Sequence, residues 1–455
     1  MTMQTDTTSM PRLIRDVDEA RQELTRRRGF EEPDLSPRML EGIRRVFGAD
    51  LSADEVVDRI LSDVRNEGDA AILRYSAAFD GEASAQIEVP RSEWKSAFSR
   101  LEPALQDALR LAAEQIATFH RKQLRTSWLD YSDEGALGQV VRPLDRVGVY
   151  TPGGTAVYPS SLLMTAVPAR VAGVQEIIVC TPRGQNGQIS PLVLAAAEVA
   201  GVDRVFCIGG VQAIAAMAFG TETVPHVDKI YGPGNIFVVL AKRRVFGIVD
   251  IDQLPGPTET LLVADESADP ELVAADLLAQ AEHDPMASAI LITSSPMLAH
   301  AVLEELPVQL ASLERADIAG QSLAANGLVV LVSDVATAID LANCYAPEHL
   351  CLLLHDPWSC VPMVRHAGGI FVGEDSPEAL GDYTAGPSHV MPTGGTARFS
   401  SPINVAEFTK VISVIAANNS AMRRLGPATS TLARAEGLTA HARAIERRLE
   451  RLDQE

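Results

Sequence analysis

Residues 146–154 read RVGVYTPGG, which is a short apolar strand that runs directly into a glycine turn. Three further apolar strands follow it, at 176–180, 204–208 and 229–231. The helical stretches that separate or follow these strands are 162–171, 191–200, 212–219 and 236–244. Strands that alternate with helices favour a parallel, doubly wound sheet. The sequence therefore predicts an α/β domain over residues 146–257.

A second alternating series follows the first one. Its predicted strands are 260–264, 289–293, 327–332, 350–354 and 369–372, and its predicted helices are 270–282, 296–305 and 335–344. We predict two side-by-side, Rossmann-like doubly wound parallel-sheet domains with helical N-terminal and C-terminal extensions. The expected division is a helical extension at 1–45, a first domain from 46–145 and 258–403, a second domain at 146–257, and a helical tail at 404–455. The tail has little apolar sequence for a core of its own.

Composition narrows the class of protein. The chain has 455 residues, a formal net charge of −21 and a pI near 4.9, which argues against a nucleic-acid or anionic-membrane surface. We find no secretory signal in the first ten residues and no run of 18 apolar residues. The five cysteines are without C-x-x-C spacing and indicate reduced thiols. A cytoplasmic location is expected.

Three short segments offer ligands for one Zn²⁺-like cation. Gln280, His283, Asp382 and His441 supply an amide, two imidazoles and a carboxylate without any thiolate. Gln280 and His283 are three residues apart and share one face of a helix end, where the partial negative charge suits a cation. The ordinary alternative is a helix-end histidine beside a solvated glutamine.

Glu348 and His349 form an adjacent carboxylate and imidazole in a proline-containing loop. Such a pair can accept a proton and stabilise the resulting charge, and the loop lies at an edge where α/β units form sites. A solvated loop pair with no chemical role is equally compatible with the sequence. A metal set beside a titratable pair is nevertheless more typical of a catalytic site than of a structural one.

Three glycine turns could receive a dinucleotide phosphate, and they lie at 152–154, 209–210 and 232–235. None has the G-x-G-x-x-G spacing, and no acidic residue is placed for a ribose. Tight strand-to-helix connections explain these turns equally well.

Taken in order, these segments resemble the histidinol dehydrogenase family over nearly the whole chain. The matching stretches are 148–154, 209–214, 232–235, 256–259, 280–283, 346–350, 381–393 and 436–441. The resemblance implies NAD-dependent oxidation of L-histidinol to L-histidine, through an aldehyde, with Zn²⁺ bound by Gln280, His283, Asp382 and His441. It also implies that His349 is the proton acceptor and that Glu348 activates water.

The same resemblance implies three further sets of contacts. Substrate would be contacted by Thr258, His389 and Glu436 together with Gln280, His283, His349, Asp382 and His441. The nicotinamide cofactor (NAD⁺) would be contacted by Tyr150, Gln212 and Asn235. The family also implies a homodimer in which the C-terminal tails are exchanged, so that His441 completes the partner's site.

Two residues depart from the usual family pattern. Thr258 stands where many members have serine, and Ser388 stands where asparagine is more usual. Two alternatives stay open at this stage: a related zinc and NAD enzyme for another small alcohol, and a zinc-binding protein without turnover. The metal could be zinc or manganese.

Overall fold

The computed structural model describes residues 10–26, 35–80, 86–153, 158–184 and 187–454. Its strands are β1 (Arg12–Ile14), β2 (Trp128–Ser132), β3 (Gly135–Pro143), β4 (Arg146–Tyr150), β5 (Glu176–Thr181), β6 (Arg204–Cys207), β7 (Lys229–Tyr231), β8 (Asp250–Ile251), β9 (Glu259–Ala264), β10 (Ser288–Thr293), β11 (Leu328–Leu331), β12 (His349–Leu353), β13 (Gly369–Val372) and β14 (Thr409–Ala417). Its α-helices are α1 (Val17–Thr25), α2 (Pro37–Phe47), α3 (Ala53–Glu67), α4 (Asp69–Asp80), α5 (Arg91–Ser99), α6 (Pro103–Arg121), α7 (Pro159–Ala172), α8 (Pro191–Ala200), α9 (Gly210–Phe219), α10 (Ile236–Val245), α11 (Pro270–Ala281), α12 (Pro296–Leu310), α13 (Ala316–Asn326), α14 (Val335–Tyr345), α15 (Glu378–Tyr383), α16 (Asn419–Ala435) and α17 (Thr439–Leu452). Gly154 of the first glycine turn, and residues 1–9 and 27–34 of the expected N-terminal extension, lie outside the described residues.

One sheet has six parallel strands in the order β1-β11-β10-β9-β12-β13. Alternate side chains of its strands enter two different buried clusters. Leu262 and Leu291 pack under α11, α12 and α13, whereas Leu261 and Ile290 pack under α1 and α14. Because both faces are covered, the strands are almost continuously apolar, as parallel sheets require.

A second sheet has five parallel strands in the order β6-β5-β4-β7-β8. Numbered along the chain within each domain, both sheets have the strand order 3-2-1-4-5, and β1 is added at the edge of the larger one. This is the order of Rossmann-type folds. The predicted class of two doubly wound parallel-sheet domains is confirmed.

The helices of residues 46–145 pack differently from the expected grouping. We expected this stretch to join 258–403, but α3 and α4 share a buried cluster with β5, β6 and α9, and α5 and α6 share one with β4 and α7. They therefore cover the two faces of the five-stranded sheet. An amphipathic pattern shows that a helix has an apolar face but not which sheet that face covers.

The third sheet is antiparallel and consists of β14, β3 and β2. The sequence predicts a helical tail over 404–455. The structure differs, because this tail contains β14, a stretch rich in β-branched residues. The tail continues as the paired helices α16 and α17.

A buried ion pair lies at the carboxyl edge of the five-stranded sheet. Lys242 of α10 and Asp252 are almost completely buried and in direct contact. Lys242 also donates to the carbonyl of Gly232 (2.9 Å), while Asp252 accepts from the N–H of Gly232 (2.8 Å). Gly232 has a φ of +113°, and a Cβ there would lie 2.0 Å from the carbonyl oxygen of Tyr150, so only glycine fits. The pair therefore fixes the two peptide groups that flank the Gly232 Cα.

We expect Lys242→Met to lower the free energy of unfolding by about 3–5 kcal/mol, because it leaves the Asp252 carboxylate buried without its cation. Arg244→Met is the matched control on the same helix. Its exposed ion pairs with Asp54 and Asp58 should be worth less than about 1 kcal/mol. Urea unfolding of the three proteins measures the difference. Equal, small losses would contradict the role given to the buried pair.

Candidate active site

Glu348 and His349 lie at the amino ends of the parallel strands. His349 is the first residue of β12 and is in register with Thr260 of β9. The sequence predicts that the pair lies in a loop, at an edge where α/β folds form sites, and that edge is usually the carboxyl edge. The structure instead places it at the opposite edge. Helices run antiparallel to these strands, so the C-terminal end of α11, with Gln280 and His283, reaches the same edge.

The turn that leads into this pair is strained. Ala346 ends α14 with a φ of +54°, and it is the only non-glycine residue with a positive φ among the described residues. Left-handed backbone costs a residue with a Cβ roughly 1–2 kcal/mol. Strain of this kind persists only where the surrounding structure fixes the chain, and it concentrates at functional sites.

The Glu348 carboxylate is buried and held by two donors. Its side chain accepts from the hydroxyl of Thr258 (2.6 Å) and from the backbone N–H of Glu259 (3.0 Å), and the residue is 7% exposed. Burial raises the pKa of Glu348 from 4.5 to about 7, while His349, Thr258 and the Glu259 N–H partly offset that rise. A carboxyl group with this pKa can give up or take a proton near neutral pH. Thr258 keeps the hydroxyl that serine would supply.

His349 presents one ring nitrogen to the site. It is 3% exposed, and its Nδ1 hydrogen-bonds the carbonyl oxygen of Glu259 at 3.3 Å. A carbonyl only accepts, so Nδ1 carries the proton in this bond and Nε2 carries the lone pair. Nε2 has no hydrogen-bond partner, and it lies 4.0 Å from Oδ1 of Asp382. The arrangement leaves a basic nitrogen free for a substrate proton, and the interpretation of a solvated loop pair is wrong.

Glu378 was missed by the sequence reading. It lies four residues before Asp382 on α15, is buried, and places Oε1 3.5 Å from Nδ1 of His349. Burial and the nearby Asp382 raise its pKa well above the ordinary range. The spacing of Glu378 and Asp382 was the available signal, because residues four apart share a helix face.

The side chain of Gln280 has the surroundings expected of a residue that binds a ligand. Its side chain is 0% exposed, and neither the amide oxygen nor the amide nitrogen has a hydrogen-bond partner. Buried polar groups without partners are rare, and each one calls for an explanation. The alternative of a solvated glutamine is wrong. His283 follows at the same helix end. It is exposed at the surface of this protomer, but the protein atoms around its ring still lower its pKa by desolvation, and the nearby Asp382 carboxylate opposes that lowering.

His389 is fixed beside Asp382. Its Nδ1 donates to the Asp382 carbonyl oxygen (2.8 Å), and its Nε2 accepts from the Ser161 hydroxyl of α7 (2.9 Å). Burial lowers the pKa of His389, opposed by Asp382. Ser388 donates to the carbonyl of Met164, also on α7. This loop therefore joins the site to the five-stranded domain, and the bond to Ser161 was not visible from the sequence.

The structure does not bring His441 and Glu436 to this site. Both are exposed in the α16–α17 hairpin, on either side of Gly437. Hydrogen bonds from Gly437 to Arg434 and from Leu438 to Ala433 close that turn as a Schellman motif. Across the described ranges, no cluster of three or more His, Cys, Asp or Glu side chains is arranged to hold a metal. The four proposed metal ligands are thus not assembled within one protomer.

The three cofactor candidates lie at the other site-forming edge, the carboxyl edge of the five-stranded sheet. Tyr150 ends β4, and its hydroxyl accepts from the N–H of Gly210. Gln212 is buried in the first turn of α9. Asn235 caps α10, because its side-chain oxygen Oδ1 accepts from the backbone N–H groups of Phe237 and Val238. That oxygen therefore already has a structural role. The edge includes the switch point between β4 and β7, where such folds bind dinucleotides.

The sequence profile of the histidinol dehydrogenase family matches residues 45–449. The chain belongs to the histidinol dehydrogenase family. The histidinol dehydrogenase of Deinococcus radiodurans is 55% identical over 433 residues, which are 95% of this chain and 98% of that protein. That of Thermus thermophilus is 52% identical and covers 89% of this chain and 97% of its own. The crystal structure of histidinol dehydrogenase from Elizabethkingia anophelis superposes with a TM-score of 0.89 at 33% identity, covering 98% and 99% of the two chains.

Membership of this family gives the activity. The chain is an NAD-dependent oxidoreductase of histidine biosynthesis that oxidises the small molecule histidinol to histidine. No helix in the described ranges is long and apolar enough to cross a membrane. A cytoplasmic location stays a prediction.

The raised pKa of Glu348 predicts a pH-dependent stability. Between pH 4.5 and 7 the folded protein binds more protons than the unfolded chain, so this residue makes stability fall as pH rises. Glu348→Gln cannot ionise. The free energy of unfolding of the variant, relative to that of wild type, should therefore rise on the order of 1–3 kcal/mol between pH 5 and pH 8.

Urea unfolding at both pH values measures that gain, with Glu266→Gln, an exposed carboxylate, as the control that should follow wild type. If the difference in free energy of unfolding between Glu348→Gln and wild type were the same at pH 5 and pH 8, the fold would not destabilise the ionised form of Glu348.

Proposed function

We propose that His349 is the proton acceptor for both oxidations of L-histidinol. The observation that carries this proposal is the unpartnered Nε2 of a buried imidazole whose Nδ1 is held by the Glu259 carbonyl. In the first step the alcohol gives its proton to Nε2, and its carbon gives hydride to NAD⁺, so that L-histidinaldehyde and NADH form. General bases of this type typically contribute about 10²–10⁴-fold to the rate.

In the second step we assign the activation of water to Glu348. The aldehyde carbon can release its remaining hydrogen as hydride only after water has added to it. That addition requires a base that removes a proton from the water. The Glu348 carboxyl group, with a pKa of about 7, is suited to that transfer. As water adds to the carbonyl carbon, the His349 imidazolium returns its proton to the aldehyde oxygen, which completes the hydrate. The neutral His349 then removes a proton from the hydrate, hydride passes to a second NAD⁺, and the products are the carboxylic acid and NADH.

We propose one Zn²⁺ per subunit, held by Gln280, His283, Asp382 and His441. The fully buried amide of Gln280, which lacks partners for both polar atoms, fits a metal ligand. Nitrogen and oxygen donors without thiolate suit zinc, and manganese is the alternative. When bound, the ion would hold the amine and imidazole of the substrate, while the hydride transfers belong to the nicotinamide cofactor. Thr258, His389 and Glu436 would complete the substrate contacts.

We place NAD⁺ at Tyr150, Gln212 and Asn235. At the carboxyl edge of the five-stranded sheet, the backbone at Gly232 closely approaches the backbone of Tyr150. The Lys242–Asp252 pair holds the N–H and the carbonyl of Gly232 in place. A cofactor in this position would reach the substrate across the boundary between the two domains. The Ser161–His389 hydrogen bond already crosses that boundary.

A homodimer with exchanged tails would complete the site. His441 is exposed and apart from the other ligands, which a ligand supplied to a second subunit would have to be. The antiparallel sheet that precedes it exposes large apolar side chains, including Ile415 (77% exposed) and Tyr131 (75% exposed). Exposed apolar area of this kind marks an interaction surface.

The two oxidation steps should separate in single variants. Glu348→Gln should spare the alcohol-to-aldehyde step more than the aldehyde-to-acid step, because only the second step needs activated water. His349→Asn should slow both steps by about 10²–10⁴-fold. Single-turnover NADH formation from histidinol and from histidinaldehyde measures each step. Equal losses in both steps for Glu348→Gln would contradict this division of roles.

Exchange of the tails predicts complementation between inactive variants. His283→Ala and His441→Ala are denatured and refolded together. A mixed dimer then has one site with both defects and one with neither. Random pairing makes half the dimers mixed, so about a quarter of all sites should recover activity. Each variant refolded alone is the control. If every tail served its own subunit, each site would keep one defect and no activity would return.

A further inference from the structure

The Nδ1 side of the His349 ring, opposite the free Nε2, also has close neighbours. Nδ1 faces the Glu259 carbonyl at 3.3 Å and Oε1 of Glu378 at 3.5 Å, and the ring of Phe371 lies beside it at 5.7 Å between centroids. Nδ1 therefore hydrogen-bonds a backbone carbonyl and has a carboxyl oxygen as its next neighbour.

Glu378 is itself held in place. The hydroxyl of Thr260 donates to its Oε2, and the carboxyl group is buried. Thr260 is the residue of β9 in register with His349, so the neighbouring strand supports the carboxyl that faces the imidazole. A buried carboxyl group costs free energy unless a partner uses it. Packing alone does not account for an acid at this position.

Two other carboxylates lie within 4 Å of His349, and each has a different task. Glu348 is 3.8 Å from Nδ1, but its Oε2 accepts from Thr258 and from the Glu259 N–H. Asp382 lies on the opposite side of the ring, 4.0 Å from Nε2, among the proposed metal ligands. Glu378 is the carboxyl that remains for Nδ1.

We propose that Glu378 is a positioning residue: it accepts the Nδ1–H of His349 and so keeps the imidazole in the tautomer whose Nε2 takes the substrate proton. The proposal rests on the role of His349 as the base. An acid that orients a catalytic imidazole in this manner fixes both its rotation and its tautomer. Glu378 does not touch the substrate.

Glu378→Gln tests the proposal in the zinc-loaded dimer. If Thr260 donates to the new amide oxygen, the amide N–H₂ faces Nδ1 and favours the wrong tautomer. We expect kcat to fall on the order of 10²-fold in both oxidation steps, with KM for histidinol and zinc content unchanged. Glu378→Asp keeps the acid and should recover part of this loss. Asp276→Asn, a carboxylate near Glu378 on α11, is the matched control and should keep wild-type kcat.

Nitrogen-15 NMR of protein labelled at its nine histidines gives a readout independent of turnover. The signal that disappears in His349→Asn should report Nδ1–H in wild type and shift toward Nε2–H in Glu378→Gln. Unchanged kcat and tautomer in Glu378→Gln, or a loss confined to KM or zinc content, would overturn the proposal. Activity retained by His349→Asn would instead overturn the proposed function.

If Glu378→Gln does not fold, Thr260→Val tests the same chain of contacts from its other end. It keeps the acid but removes the hydroxyl that holds it, and a loss of about tenfold in kcat is expected, since one neutral hydrogen bond is removed. Thr260→Ser should restore it. A Thr260→Val enzyme with wild-type kcat would also overturn the proposal.

Discussion

The site depends on the parallel pairing of β9 with β12. That pairing sets His349 opposite Thr260, and it brings Glu348 onto the Thr258 hydroxyl and the Glu259 N–H. One residue of β9 thus serves both members of the pair, because the backbone carbonyl of Glu259 accepts from His349 while its backbone N–H donates to Glu348. A slip in strand register would separate His349, the proposed proton acceptor, from the β9 groups that hold this pair, so the proposed chemistry depends on the sheet.

Charge is the second constraint on this edge of the sheet. Glu348 and Glu378 are both buried beside His349, Glu378 lies near Asp382, and burial raises the pKa of both glutamates. Carboxyl groups packed this closely favour a bound cation, and the unpaired amide of Gln280 lies on the helix end that reaches them. In the proposed metal site, one ligand would have to come from outside the protomer, since His441 lies in the exposed tail. Metal binding and dimer formation are therefore linked in the proposed site.

Much of this architecture was predictable from the sequence. Alternating apolar strands and helices gave both α/β domains, because periodicity depends on local composition. The packing of α3 to α6 was not predictable, since their apolar faces fit either sheet. Glu348 and His349 could be recognised by type, but their burial and their place at the amino edge depend on strand register. Glu378 was overlooked because its role arises from contact with residues on two other strands, Thr260 and His349. The strand β14 was not predicted because the rest of the tail has the charged pattern of helices.

Zinc-edge anomalous diffraction from crystals of the zinc-loaded protein would locate the metal in the assembled dimer. We expect one anomalous peak per protomer at the buried side chain of Gln280, shared with His283 and Asp382 and closed by a His441 from the other copy of the chain. A zinc ion bound elsewhere, with the Gln280 amide still unpaired, would contradict this expectation, as would a site completed by the His441 of the same chain.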